Sequence, residues 1–221
     1  MAAAHPDLIP IILRNRYGHD YSYIESAAIR IGRDILEVSS FGAYALNGVE
    51  GALGPNGHSV PRIGGYNIFY EFANGKRHTF VVDIGINEDV TIVAFKEMVS
   101  IKILNGTNEH FGNVSGFMGT YHGRMLSRNG TNLRNNINSL AESWQVQEGE
   151  GNLFRMIRSP QAPEKCRLPD SVGKKSRRLG ESLAKEAAKK ACQHLKGQAF
   201  SFCVSDVLAT GDLDLAQSGV Y

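Results

Sequence analysis

Asn67-Ile68-Phe69-Tyr70-Glu71-Phe72-Ala73-Asn74-Gly75-Lys76-Arg77-His78-Thr79-Phe80-Val81-Val82 sets two β-branched or aromatic runs on either side of an Asn-Gly dipeptide. Asn-Gly accepts positive φ at both central positions of a type I′ turn, so this stretch predicts a β-hairpin. Runs of the same kind stand at Ile29-Arg30-Ile31, Ile35-Leu36-Glu37-Val38, Thr91-Ile92-Val93-Ala94-Phe95 and Ser100-Ile101-Lys102-Ile103-Leu104. Asn47-Gly48, Asn105-Gly106 and Asn129-Gly130 repeat the punctuation. No long helical period intervenes, and short strands in sequence predict an antiparallel sheet or sandwich. From Gly48 to Gly57 glycine recurs every third residue, over too short a span for a collagen helix, and the stretch is expected to be a flexible loop.

The composition changes after residue 158. Ser159-Pro160-Gln161-Ala162-Pro163 and Leu168-Pro169 mark a linker, because proline removes a donor and biases its predecessor away from helix. Beyond it Leu179, Leu183, Ala187, Ala191 and Leu195 recur every four residues, which predicts a helix over 178–196 with Gly197 as its stop. Glu181 to Lys185 and Glu186 to Lys190 are favourable pairs on its outer face. A second piece is expected over Ser205 to Thr210, ending at Gly211, with Asp212 capping a last turn. The fold class is therefore mainly β, an antiparallel sheet or sandwich followed by a small α-helical C-terminal region. The predicted division is a β domain over 8–158, a proline-marked basic linker over 159–177 and a helical tail over 178–221.

The chain has 221 residues, 42% of them hydrophobic, enough to bury a sizeable core. Lys and Arg total 24 against 22 acidic residues, and the basic excess lies after residue 158. Its 3 cysteines form no Cys-x-x-Cys, so neither a zinc site nor a thioredoxin-like motif has support. Cys192 and Cys203 flank a helix end and a following loop, and they are expected to be oxidised to each other. Cys166 is then a free or externally paired thiol; the alternative is three reduced thiols. No apolar run has the length of a transmembrane span, and Met1 to Leu13 lacks the pattern of a leader peptide.

Several segments, read in order, resemble the von Willebrand factor type D family. These are 23–32, Asp34 to Val38, Leu46 to Val49, and above all Phe111-Gly112-Asn113-Val114-Ser115-Gly116-Phe117-Met118-Gly119-Thr120-Tyr121-His122-Gly123. The last is similar to a family strand that ends in Gly-Leu-Cys-Gly. Ser143-Trp144-Gln145-Val146 and Leu153-Phe154 resemble the Trp-containing strand that closes the module. The resemblance covers residues 8 to 155 and implies a secreted or cell-surface, non-catalytic module. It places Gly116, Phe117, Gly119 and Trp144 in the structural core, with Trp144 buried on a closing strand. Ala191-Cys192, Phe202-Cys203 and Asp206 resemble a cysteine-poor form of the helical region that follows such modules.

The departures from the family narrow what the resemblance implies. No Gly-Asp-Pro-His-Phe strand precedes Leu8, so the copy is expected to be truncated at its N-terminus and to have lost its leader. Met118 takes the place of the family cysteine, which removes a disulfide and any dithiol role. Calcium needs about six oxygen ligands with carboxylates among them, and the segment 121–130 carries Arg124 and Arg128 but no acid. The family's calcium is therefore expected to be lost, and no other cofactor or metal is predicted.

Three N-glycosylation sequons occur, at Asn105, Asn113 and Asn129, with the strand expected over 111–123 tending to bury Asn113. Lys174, Lys175, Arg177, Arg178, Lys185 and Lys189 form a basic stretch, which is either a polyanion-binding or membrane-surface patch or a solvated helix face. No His-Glu-x-x-His, Gly-x-Ser-x-Gly, phosphate loop or dinucleotide fingerprint is present, so no catalytic residue is nominated, and the further alternative, an enzyme whose site a single sequence does not reveal, has no motif behind it. The expected partners are other extracellular proteins or glycans rather than nucleic acid.

Overall fold

The computed structural model describes residues 8–17, 22–51, 60–85, 87–117, 119–120, 122–134, 136–147, 150–155, 177–219 and 221. It is mainly β. Strands β1 (Leu8–Tyr17), β2 (Ser22–Ile31), β3 (Asp34–Ser39), β4 (Tyr44–Leu46) and β5 (Val49–Gly51) form one antiparallel sheet in chain order. Strands β6 (Val60–Ile63), β7 (Tyr66–Ala73), β8 (Arg77–Gly85), β9 (Glu88–Phe95) and β10 (Met98–Leu104) form a second, again in chain order. Both sheets are meanders, in which each strand pairs antiparallel with the next one along the chain. Asn47 and Gly48, at φ 55° and 82°, close a two-residue hairpin between the paired Leu46 and Val49. Gly64 and Gly65, at 55° and 88°, do the same between Ile63 and Tyr66. Asn74 and Gly75 also take positive φ, but the register pairs Ala73 with Arg77, so that loop includes Lys76 as well.

The sheets face each other across one core. Ile29, Ile31, Leu36 and Val38 of the first sheet meet Ile68, Phe80, Val82, Val90 and Ile92 of the second, at alternate positions along each strand. Phe80 is fully buried, with its ring 5.7 Å from Tyr44 and 5.2 Å from Tyr70.

The outer faces are covered as well. Over the first sheet, Ala28 and Ile35 pack against Leu153 and Phe154. There the buried carboxylate of Glu37 accepts the backbone N–H of Arg155 at 2.9 Å. A second buried carboxylate, Glu88, accepts the N–H of Thr107 at 2.9 Å, at the entry to helix α1 (Asn108–Phe111). Each acid fixes a returning segment to a strand, and the donated N–H supplies a partner that the buried carboxylate requires.

Over the second sheet lies the C-terminal region, α3 (Arg177–Cys192), α4 (Gly197–Thr210) and a 3-10 turn (Leu213–Gln217), whose buried Ala188, Cys192, Cys203, Val207, Leu215 and Ala216 enclose Phe95 of β9. Cys192 and Cys203 form a disulfide. The predicted helix over 178–196 is shorter in the structure. Gly197 takes φ 58° as the first residue of α4 rather than as a stop, and α4 starts well before the predicted Ser205. The disulfide and the buried small residues favour a helix hairpin over one long helix. Glu186 pairs with Lys189 at 2.9 Å, one residue nearer than the predicted Lys190.

The segment expected to be a strand over 111–123 is instead α1 followed by a minimal hairpin, β11 (Ser115–Gly116) and β12 (Gly119–Thr120). Trp144 does not lie on a closing strand. It ends helix α2 (Ile137–Trp144), where Leu140 and Trp144 stand one helical turn apart and Asn136 caps the start by accepting the Ser139 N–H at 3.1 Å.

Candidate interaction surface

The turns divide the second sheet into two ends. At one lie the β7–β8 and β9–β10 turns; at the other lie the β6–β7 turn and the exit of β10 at Leu104. Phe41 belongs to the first end, where its N–H donates to Lys96 O at 2.7 Å. Its backbone is left-handed, φ 60° and ψ 16°, and the residue is 61% exposed. A bulky residue in that conformation costs roughly 1 to 2 kcal/mol, and a side chain left largely in water recovers little of it.

The surroundings hold Phe41 in place. Gly42, at φ 74°, lies against the imidazole of His78, and a Cβ there would fall 2.2 Å from His78 Cγ. The His78 ring is fixed in turn by Tyr70, whose hydroxyl shares a 2.8 Å hydrogen bond with Nδ1. Phe72 lies 4.6 Å from the His78 ring, centroid to centroid, and remains 48% exposed. Burial lowers the His78 pKa from its ordinary value and raises that of Tyr70, so both are neutral at neutral pH. Phe69, on the opposite face of β7, is exposed too. This end therefore offers apolar rings around the neutral His78 and Tyr70 pair, flanked by the ion-paired Lys76 and Lys96, a composition that anchors protein contacts.

The residues nominated from the sequence are dispersed. Phe117 lies at the tip of the β11–β12 hairpin and is 43% exposed, so it is not a core residue; Phe111 is the buried aromatic of that segment. A Cβ added at Gly116 would meet open space, whereas Gly119 takes φ 98° and could not be replaced without strain. Trp144 is half-buried, with its indole N–H donating to Leu126 O at 2.8 Å and the Arg128 guanidinium 5.7 Å from its ring. Arg128 also donates to the carbonyls of Trp144 and Gln145 and to Glu150.

Asn105, Asn113 and Asn129 are all exposed, Asn113 in a turn and not in a buried strand. Lys185 is exposed and Lys189 is paired with Glu186. Arg177 and Arg178 fall in the first turn of α3, and Lys174, Lys175, Cys166, Met118 and residues 52–59 lie outside the described residues.

The loop where the family resemblance implies calcium does not fit that ion. Asn129 Oδ1 already accepts from the Ser127 hydroxyl and from the N–H and hydroxyl of Thr131, and the neighbouring acid, Glu150, is held by Arg128. Hard-cation binding needs oxygens free to turn inward, carboxylates among them.

Phe41 escaped sequence reasoning because a phenylalanine in a turn looks like any other apolar residue; Gly42 was its only marker. Comparison with protein-family models and with curated proteins finds no match to this chain.

Proposed function

We propose that this chain is a non-catalytic interaction module of a secreted or cell-surface protein, of the von Willebrand factor type D kind, which binds another extracellular protein through the end that carries Phe41 and Phe72. The observation that carries the proposal is the exposed Phe41 ring on a left-handed backbone. Strain of this kind persists where the surrounding structure imposes it, and here it presents a hydrophobic ring to solvent. The Cys192–Cys203 disulfide supports an oxidising compartment. The alternative of polyanion binding through α3 has less support, since Glu186 offsets Lys189 on its exposed side.

The test has two parts. The complete gene product, tagged and expressed with its native upstream sequence in eukaryotic cells, is expected in the medium or at the cell surface; retention in the cytosol with all thiols reduced would refute the compartment. The purified chain is then applied to intact cells, where Phe41→Ser with Phe72→Ser is expected to lower saturable binding at least tenfold. Equal binding would remove the surface assignment.

A further inference from the structure

We infer that Asn105 and Asn113 carry N-linked oligosaccharides, which cover the end of the sandwich opposite Phe41 and leave the aromatic end as the bare one. The inference rests on the secretory part of the proposed function. Both asparagines sit in sequons, Asn105-Gly106-Thr107 and Asn113-Val114-Ser115, and both are exposed. Neither side chain makes a hydrogen bond among the described residues; Asn129 differs in that its carboxamide oxygen, though not the nitrogen that a glycan would take, is tied into its own loop. An exposed asparagine with no structural bond can be modified without loss to the fold.

The placement follows from the strand register. Leu104 pairs with Asp89, which pairs with Asp83, whereas His78 pairs with Phe72 five residues back along β8. At about 3.4 Å per residue the two ends lie roughly 17 Å apart. Asn105 leaves β10 in a left-handed turn at φ 55°, and the next residues are fixed from below. Gly106 is so close to Phe111 that a Cβ there would lie 2.9 Å from its ring, and the Thr107 N–H is held by buried Glu88. The buried Phe111 ring then sets the position of Asn113, two residues on. Both acceptors thus leave the same end on rigid supports, pointing away from the core.

In the transfer itself, Asn Nδ2 forms a C–N bond to the anomeric carbon of a lipid-linked oligosaccharide. The anomeric C–O bond to a polyprenyl diphosphate breaks, that diphosphate departs with the electron pair, and the nitrogen loses one proton.

The experiment places the full chain behind a heterologous leader in a eukaryotic secretory host, so that entry into the pathway does not depend on the native compartment. Deglycosylation with peptide-N-glycosidase F in heavy-oxygen water, followed by peptide mass spectrometry, is expected to show heavy aspartate at positions 105 and 113. Asn105→Gln and Asn113→Gln should each remove one step of the gel shift. Unmodified asparagine at either position in the secreted protein would overturn that assignment, whatever compartment the native product occupies. Enzymatic removal of the glycans should leave Phe41-dependent cell binding within twofold; its loss would overturn the separation of a covered end from a bare one.

Discussion

Gly42 is the residue on which the aromatic end depends. Its φ of 74° and its contact with the His78 ring leave no room for a side chain. Gly42→Ala is expected to destabilise the protein by about 2 to 4 kcal/mol, combining left-handed strain with displacement of a packed ring. Phe41→Gly should instead leave stability within about 1 kcal/mol, since relief of the left-handed strain offsets the partial burial lost and the greater unfolded-state entropy of glycine. Chemical denaturation of both variants checks the pair, and a stable Gly42→Ala would mean the His78 platform is not needed. At this scale little was legible in advance. Left-handed Phe41 and Lys96 carry no sequence signature, because phenylalanine and lysine are ordinarily found in other backbone conformations. The sequons were legible as acceptors, but their common end follows only from strand register.

Among the elements, the strands predicted around Ile29, Ile35, Asn67, Thr79, Thr91 and Ser100 all fall inside β2, β3 and β7 to β10, since alternation in a two-sheet core leaves a local signal. β1 was hidden by Pro10. It sits where the register shifts between Leu8 and Ile11 on an edge strand, a place that tolerates a missing N–H. β4 and β5 are too short to show a period. The segment 111–123 and Trp144 were placed by family likeness, and local forces decided otherwise: Phe111 is buried from a helical turn, and the Asn136 cap starts a helix through Trp144. The helix hairpin rests on its disulfide. Cys203→Ser is expected to cost about 2 to 3 kcal/mol, the chain-entropy value for a loop of this size, and to separate α3 from α4. Thermal melting with and without reductant tests this; an unchanged melting temperature would show that packing alone suffices.

In the whole molecule, the C-terminal region belongs to the sandwich surface rather than standing apart as a tail. Lys96 donates to Asp212 at 2.5 Å and reaches Asp214 at 3.0 Å, and Lys76 reaches Asp214 at 2.5 Å. Lys102 donates to the carbonyls of Gly219 and Tyr221. The hydrogen bonds from Lys76 and Lys96 hold the Asp214 carboxyl down to about 2. Because the folded state lowers this pKa, the carboxylate's contribution is complete above its ordinary value of 3.8 and is lost as pH falls from there towards 2. Acidification from pH 5 to 2.5 should therefore loosen the region first, seen as faster amide exchange in α4 before β8. Asp214→Asn should show that exchange already at pH 5, and salt should act in the same direction. Simultaneous exchange of both elements would mean the region unfolds only with the sandwich.

Glu37 also has a history in the making of the protein. Its partner, the Arg155 N–H, stands 118 residues further along the chain. A ribosome adding roughly 5 to 20 residues per second delivers that partner several seconds after the first sheet can form. Through that interval Glu37 stands on the uncovered face of the sheet beside Ala28, Arg30 and Ile35, and polar side chains among the apolar ones discourage other nascent chains from stacking on that face. The same side chain that later locks the finished surface thus protects the unfinished one during synthesis.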